Sequence, residues 1–156
     1  MNGIAQAVVK KLKKKGATVS VAESITGGGL GQALTSIPGS SEVMVGGVIA
    51  YNDSAKTKFL SVPKSLLTKH TAVSEEVARE MAISIRNQFK STYGIATTGV
   101  AGPGKAYRQK AGTVWIAIST KKEVHTVALA LSGDRESIRN ATITSALATF
   151  ERILSL

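Results

Sequence analysis

The chain has 156 residues, 43% hydrophobic and 19% charged, a length and balance that suit one soluble globular domain with a substantial core. It contains no cysteine, which removes disulfides, thiolate metal sites and a cysteine nucleophile together, and no apolar run approaches membrane-spanning length. The net charge of +10 raises the question of nucleic acid, but much of the excess lies in Lys10, Lys11, Lys13, Lys14 and Lys15, mostly off an Ile4-Val8-Leu12 stripe. No module of basic residues interleaved with aromatics accompanies it, so neither a specific nucleic-acid partner nor a membrane partner is expected. With only 4% aromatic residues, the core must rest on Val, Ile, Leu and Ala.

The first 16 residues lack a signal-peptide apolar core, and a cytoplasmic location is expected. Residues 3–15 read as a helix that packs Ile4, Val8, Val9 and Leu12 inward and stops at Gly16. Residues 17–22 alternate as a short strand. The chain then breaks into Glu23-Ser24-Ile25-Thr26-Gly27-Gly28-Gly29, and Leu30, Ala33, Leu34 and Ile37 resume at helical spacing. A strand, tight turn and helix in this order present amide groups that bind an anion or a developing oxyanion, with Ser24 and Thr26 at the mouth. The competing reading makes Ser24 or Thr26 an N-cap and the glycines a compact turn.

Residues 43–51, rich in valine and interrupted by Gly46-Gly47, predict a central strand, and residues 55–60 a short helix. A short polar helix or turn follows Pro63. Ser74 is a good N-cap for a helix over 75–90, with Glu75 and Glu76 in its first turn. Residues 94–98 form the next strand and run into the glycine-rich loop 99–104. Strands over 113–119 and 124–131 make an antiparallel hairpin, and a last helix starts near Asp134. The alternation predicts a single domain, 1–156, with a three-layer α/β/α sandwich and a mostly parallel sheet carrying one antiparallel strand. The loops at 24–29, 51–56 and 99–104 each follow a strand, so all three are expected at one sheet edge, where ligands of such folds sit.

The chemistry is narrowed by what is missing. There is no HExxH motif and no histidine–carboxylate cluster, so no metal is expected. Walker A and GxGxxG patterns are absent as well. Of the two histidines, His125 falls inside the hairpin and His70 precedes a helix, and Ser24 lacks a GxSxG elbow, which argues against a Ser-His-Asp triad. What survives is a serine activated by a lysine of lowered pKa, with a tyrosine between them. Tyr51 and Lys56, after one strand end, have the spacing for this. The alternative makes Tyr51 a core-edge aromatic and Lys56 a solvated helix charge.

The run Ala22-Glu23-Ser24-Ile25-Thr26-Gly27-Gly28 resembles the AES-x-TGG signature of the CinA C-terminal domain family. Further matching stretches are Gly46-Gly47-Val48-Ile49-Ala50-Tyr51-Asn52, Ala55-Lys56, Thr98-Gly99-Val100-Ala101-Gly102-Pro103 and Ser132-Gly133-Asp134-Arg135. The resemblance covers nearly the whole chain and is to the stand-alone form of the domain. It implies hydrolysis of the carboxamide of nicotinamide mononucleotide to nicotinate mononucleotide and ammonia, without a cofactor. It implies Ser24 as nucleophile, Tyr51 and Lys56 as activating partners, and the amides of Thr26, Gly27 and Gly28 as an oxyanion hole. Gly99, Ala101 and Gly102 would line the substrate, Arg135 and Arg139 would hold its phosphate, and a homodimer or higher homo-oligomer is expected. One stretch departs from the family pattern: residues 104–111 lack its glycine pair and proline, and add Tyr107 and several positive charges. A catalytically silent or substrate-shifted nucleotide-binding homologue is therefore the alternative.

Overall fold

The computed structural model describes residues Met1–Leu156. Strand β1 (Val19–Glu23) is buried along its whole length because both of its faces are covered. Val19 and Val21 join one apolar core, and Ala22 joins a second. Two cores either side of one strand mean three layers. The sheet between them runs in the order β2 (Met44–Ile49), β1, β3 (Tyr93–Gly99), β4 (Thr113–Ser119), β5 (Val124–Ala130). β1 is parallel to both β2 and β3, whereas β4 is antiparallel to both of its neighbours. The expected three-layer α/β/α architecture with one antiparallel strand is what forms.

One position in the sheet differs from the sequence expectation. β2 is an edge strand, not a central one. Its residues alternate between half-buried and exposed, with Val45 and Ile49 open to solvent. The valine-rich run gave the impression of burial on both faces. Yet β1 already has β3 on its other side, and the crossover after β2 returns to that side.

Helices α1 (Asn2–Lys15), α2 (Gly29–Thr35) and α6 (Arg135–Ile153) cover the face lined by Val114, Ile116 and Ile118. The other face carries α3 (Asp53–Leu60), α4 (Lys64–His70) and α5 (Glu75–Phe89) over a floor of small residues, Ala22, Ala96 and Ala117. Small residues let α5 lie close to the sheet. At Gly94 a Cβ would collide with the Ala82 carbonyl oxygen on that helix. The helix ends follow local chemistry: Gly16 stops α1 at φ 58°, and Ser74 and Asp134 accept from the amides of Val77 and Ser137.

α1 lies beside α6, with Lys11 paired to Glu151 at one end and Met1 close to Arg135 and Arg139 at the other. Lys10, Lys13, Lys14 and Lys15 are exposed, as the charge run predicts for a solvated helix face. No helix is long and apolar enough to cross a membrane.

Candidate active site

Three strand ends converge. Ser24 follows β1, where its amide donates to the Thr97 carbonyl of β3 at 3.0 Å. Asn52, just after β2, caps α3 by accepting from the Ala55 amide at 2.8 Å. That cap fixes the direction of the helix, and its first turn carries Lys56 inward. Lys56 has no exposed surface at all. Its Nζ donates to Ser24 Oγ at 2.8 Å and to the Ala50 carbonyl oxygen at 2.9 Å. Burial lowers its pKa from 10.5 to about 8, against a smaller opposing pull from the Asp53 carboxylate. Lys56 is therefore not a solvated helix charge.

The turn itself is organised by a residue to which the sequence reading assigned no role. Glu23, 2% exposed, accepts at Oε1 from Thr26 Oγ1 and the Leu30 amide, at 2.6 and 2.7 Å, and at Oε2 from the Gly31 amide at 2.9 Å. The carboxylate thus satisfies the opening amides of α2, a task the sequence reading allowed to Ser24 or Thr26. Thr26 is fully buried beneath the turn, its hydroxyl bridging Glu23 and the Thr97 hydroxyl, not at the mouth. Gly27 and Gly28 take φ values of 56° and 99°, which a Cβ disfavours. The Gly27 amide donates to the Ser24 carbonyl, so it is not available to an oxyanion. The amides of Ile25, Thr26 and Gly28 have no acceptor within the chain, and of these three residues only Ile25 borders the same cleft as Ser24.

That cleft, about 180 Å³, is closed by the loop after β3 from Gly99 through Ala101 and Gly102, and by Tyr51, Tyr107 and Arg135. Tyr51 does not stand between Ser24 and Lys56, which touch directly. Its hydroxyl accepts from Arg135 Nη2 at 2.7 Å, and Arg135 Nη1 donates to the Gly102 carbonyl at 2.6 Å. Arg139 lies deeper, donating to the carbonyls of Ile25 and Thr26 at 3.1 and 3.2 Å. It lines a second cleft of about 460 Å³ with Thr26, Gln32 and Asn140, and Arg135 borders both clefts. Neither Gly27 nor Gly28 lines either one.

The divergent loop makes a two-residue turn. Ala106 and Gln109 exchange two backbone hydrogen bonds, at 3.0 and 2.9 Å, with Tyr107 and Arg108 at φ 49° and 60° between them. Burial, then the charges of Asp53 and Tyr51, push the Tyr107 phenol pKa up. The histidines stand elsewhere: His70 ends α4 with Nδ1 3.6 Å from Glu76, and His125 lies on β5 beside Glu123.

Comparison with known proteins agrees along the whole chain. The profile described as "CinA C-terminal domain" matches residues 1–154. A CinA-like protein of Gemmatimonas aurantiaca is 49% identical over 123 residues, 78% of this chain and 29% of its own length. A putative competence-damage inducible protein of Caldanaerobacter subterraneus is 42% identical over 148 residues, 94% of this chain and 36% of its own length. The chain thus spans about a third of the length of these curated relatives. Among solved structures, a competence-damaged protein (CinA) superfamily protein from Klebsiella pneumoniae superposes with a TM-score of 0.96 at 30% identity, covering 99% of this chain and 97% of that one. One from Escherichia coli gives 0.94 at 32%, covering 99% and 90%.

Proposed function

This chain belongs to the CinA C-terminal domain family, and from that premise we propose that it is an amidohydrolase that cleaves the carboxamide of nicotinamide mononucleotide. The observation that carries the proposal is the buried Lys56 Nζ at 2.8 Å from Ser24 Oγ. A pKa of about 8 leaves about a tenth of Lys56 neutral at pH 7, enough to act as a base without a histidine. In the neutral form Nζ takes the Ser24 proton as Oγ bonds to the carboxamide carbon. The oxygen that gains charge is received by the free Ile25 amide beside it, a type of donor worth about 3 kcal/mol in known hydrolases. The Lys56 ammonium then gives its proton to the departing nitrogen, and ammonia leaves an ester on Ser24. Lys56, neutral again, deprotonates the water that hydrolyses the ester and returns that proton to Oγ.

The cleft is smaller than the ~300–1,000 Å³ common for whole drug-sized ligands. It suits the carboxamide ring alone, with the sugar and phosphate extending past Arg135 towards the second cleft. Arg135 is the better placed of the two arginines for phosphate, because it is exposed and borders both clefts, whereas Arg139 is half-buried and lines only the second. The test is ammonia release from nicotinamide mononucleotide, nicotinamide riboside and nicotinamide. Turnover of the mononucleotide well above the other two is expected, and no release from any of them would overturn the reading. The second reading, a nucleotide-binding homologue without turnover or with a shifted substrate, is favoured by one observation, the presence of Tyr107 in the cleft.

A further inference from the structure

Tyr107 is set in place by an unusual backbone. Turns with two central residues at positive φ favour Asn-Gly or Gly-Gly, yet here they are Tyr107 and Arg108. The conformation is held from outside, by the Gln109 side chain donating to the Val73 carbonyl. Strain of this kind, maintained by its surroundings, is characteristic of positions whose geometry is used. The turn brings Tyr107 into the lining of the cleft that contains Ser24 and Lys56, together with Tyr51. Tyr107 and Tyr51 are 39% and 55% exposed, so both rings keep open surface. The Asp53 carboxylate lines a separate groove, not this cleft, yet its charge acts on both the Tyr107 phenol and Lys56. Lys105 and Arg135 also line the cleft, and their charge answers the anionic part of a ligand. Aromatic faces with a carboxylate nearby suit a flat cation.

We propose that Tyr107 is a specificity-determining residue of this site: its ring face, with that of Tyr51, selects substrates whose carboxamide is carried on a flat, cationic heteroaromatic ring. The inference rests on the amidase reading above and adds a selecting residue to it. A phenyl ring suffices for such a contact, so Tyr107→Phe retains it and Tyr107→Leu does not.

The experiment compares kcat/KM for nicotinamide mononucleotide and for its reduced dihydropyridine form, which keeps the carboxamide, sugar and phosphate but has a neutral, non-aromatic ring. The original protein and Tyr107→Phe should prefer the oxidised ring, and Tyr107→Leu should lose on the order of tenfold of that preference. An unchanged preference in Tyr107→Leu, or an equal loss on both substrates, overturns the inference and leaves the amidase reading standing. A second measurement separates the two: binding of the 1-methylnicotinamide cation and of neutral nicotinamide to Ser24→Ala protein, with Tyr107 intact or replaced by Leu. Preferential binding of the cation that depends on Tyr107, with no ammonia release by the original protein, keeps the inference and removes the amidase reading. Binding of the cation that is indifferent to Tyr107 overturns the inference whatever the turnover.

Discussion

Lys56 Nζ reaches Ser24 Oγ across 32 residues of sequence, and its other hydrogen bond, to the Ala50 carbonyl, holds it there with no surface of its own exposed. Only the neutral amine can take the serine proton. The rate of ammonia release should therefore rise with pH through about 8 and level off above it. A profile flat between pH 6 and 9 would move the base role away from Lys56.

The same lysine weakens the fold below that pH. Its folded pKa, about 8, lies beneath the 10.5 of an unperturbed lysine, so between these values the unfolded chain binds the proton that the folded one has lost. Stability accordingly rises with pH across that window, and the penalty is fully present below pH 8. The shift corresponds to about 3 kcal/mol. Lys56→Met should abolish turnover yet gain about 1–3 kcal/mol at pH 7, with the gain shrinking by pH 10. Urea midpoints of both proteins at the two pH values decide this, and a Met variant less stable at pH 7 would contradict the buried charge.

Ser24→Ala should remove activity with little change in melting temperature, and the unmodified protein should keep its rate in EDTA. Inhibition by EDTA that a divalent cation reverses would replace the serine mechanism with a metal-assisted one.

The two arginines should separate. Arg139 holds the carbonyls of Ile25 and Thr26, so Arg139→Ala should lower kcat for every substrate and destabilise the fold by about 1–3 kcal/mol. Arg135→Ala should chiefly raise KM for the phosphorylated substrate. Tyr51→Phe, which loses only the hydroxyl that Arg135 holds, should be milder than either. Identical kinetic defects in the two alanine variants would put the phosphate elsewhere, with Lys105, Arg108 and Lys110 next in line.

Glu23→Gln tests the turn. Its carboxylate offers two acceptor oxygens to three donors, whereas an amide offers one. The variant should lose about 1–3 kcal/mol in denaturant unfolding, with a fall in kcat larger than any change in KM. Full activity in Glu23→Gln would mean that the turn is fixed by its glycines alone.

Strand ends and caps were legible in the sequence because their causes are local. Ser74 and Asp134 each accept from an amide three residues on, as does Asn52, whose helix starts at Asp53 and not at the expected 55. The alternation over residues 17–22 was also readable, since Val19 and Val21 join one core and Ala22 the other. Glu23 was not, because its partners are amides at positions 30 and 31, which point at it only once the turn is folded. Nor was the role of Arg135, which meets Tyr51 from 84 residues away. β2 misled for a related reason: valines describe a strand's preference for extended backbone, while its place at the edge is decided by the crossover to β3.

The side-by-side packing of α1 and α6 has a practical consequence for handling the protein. Met1 borders the second cleft beside Arg135, whereas Leu156, 94% exposed, lies near the Lys11–Glu151 pair at the opposite end of the helices. An affinity tag, fluorophore or surface tether attached at Met1 would project into the space proposed for the sugar-phosphate. The same attachment at Leu156 leaves both clefts open, so immobilised binding measurements belong on the carboxyl end.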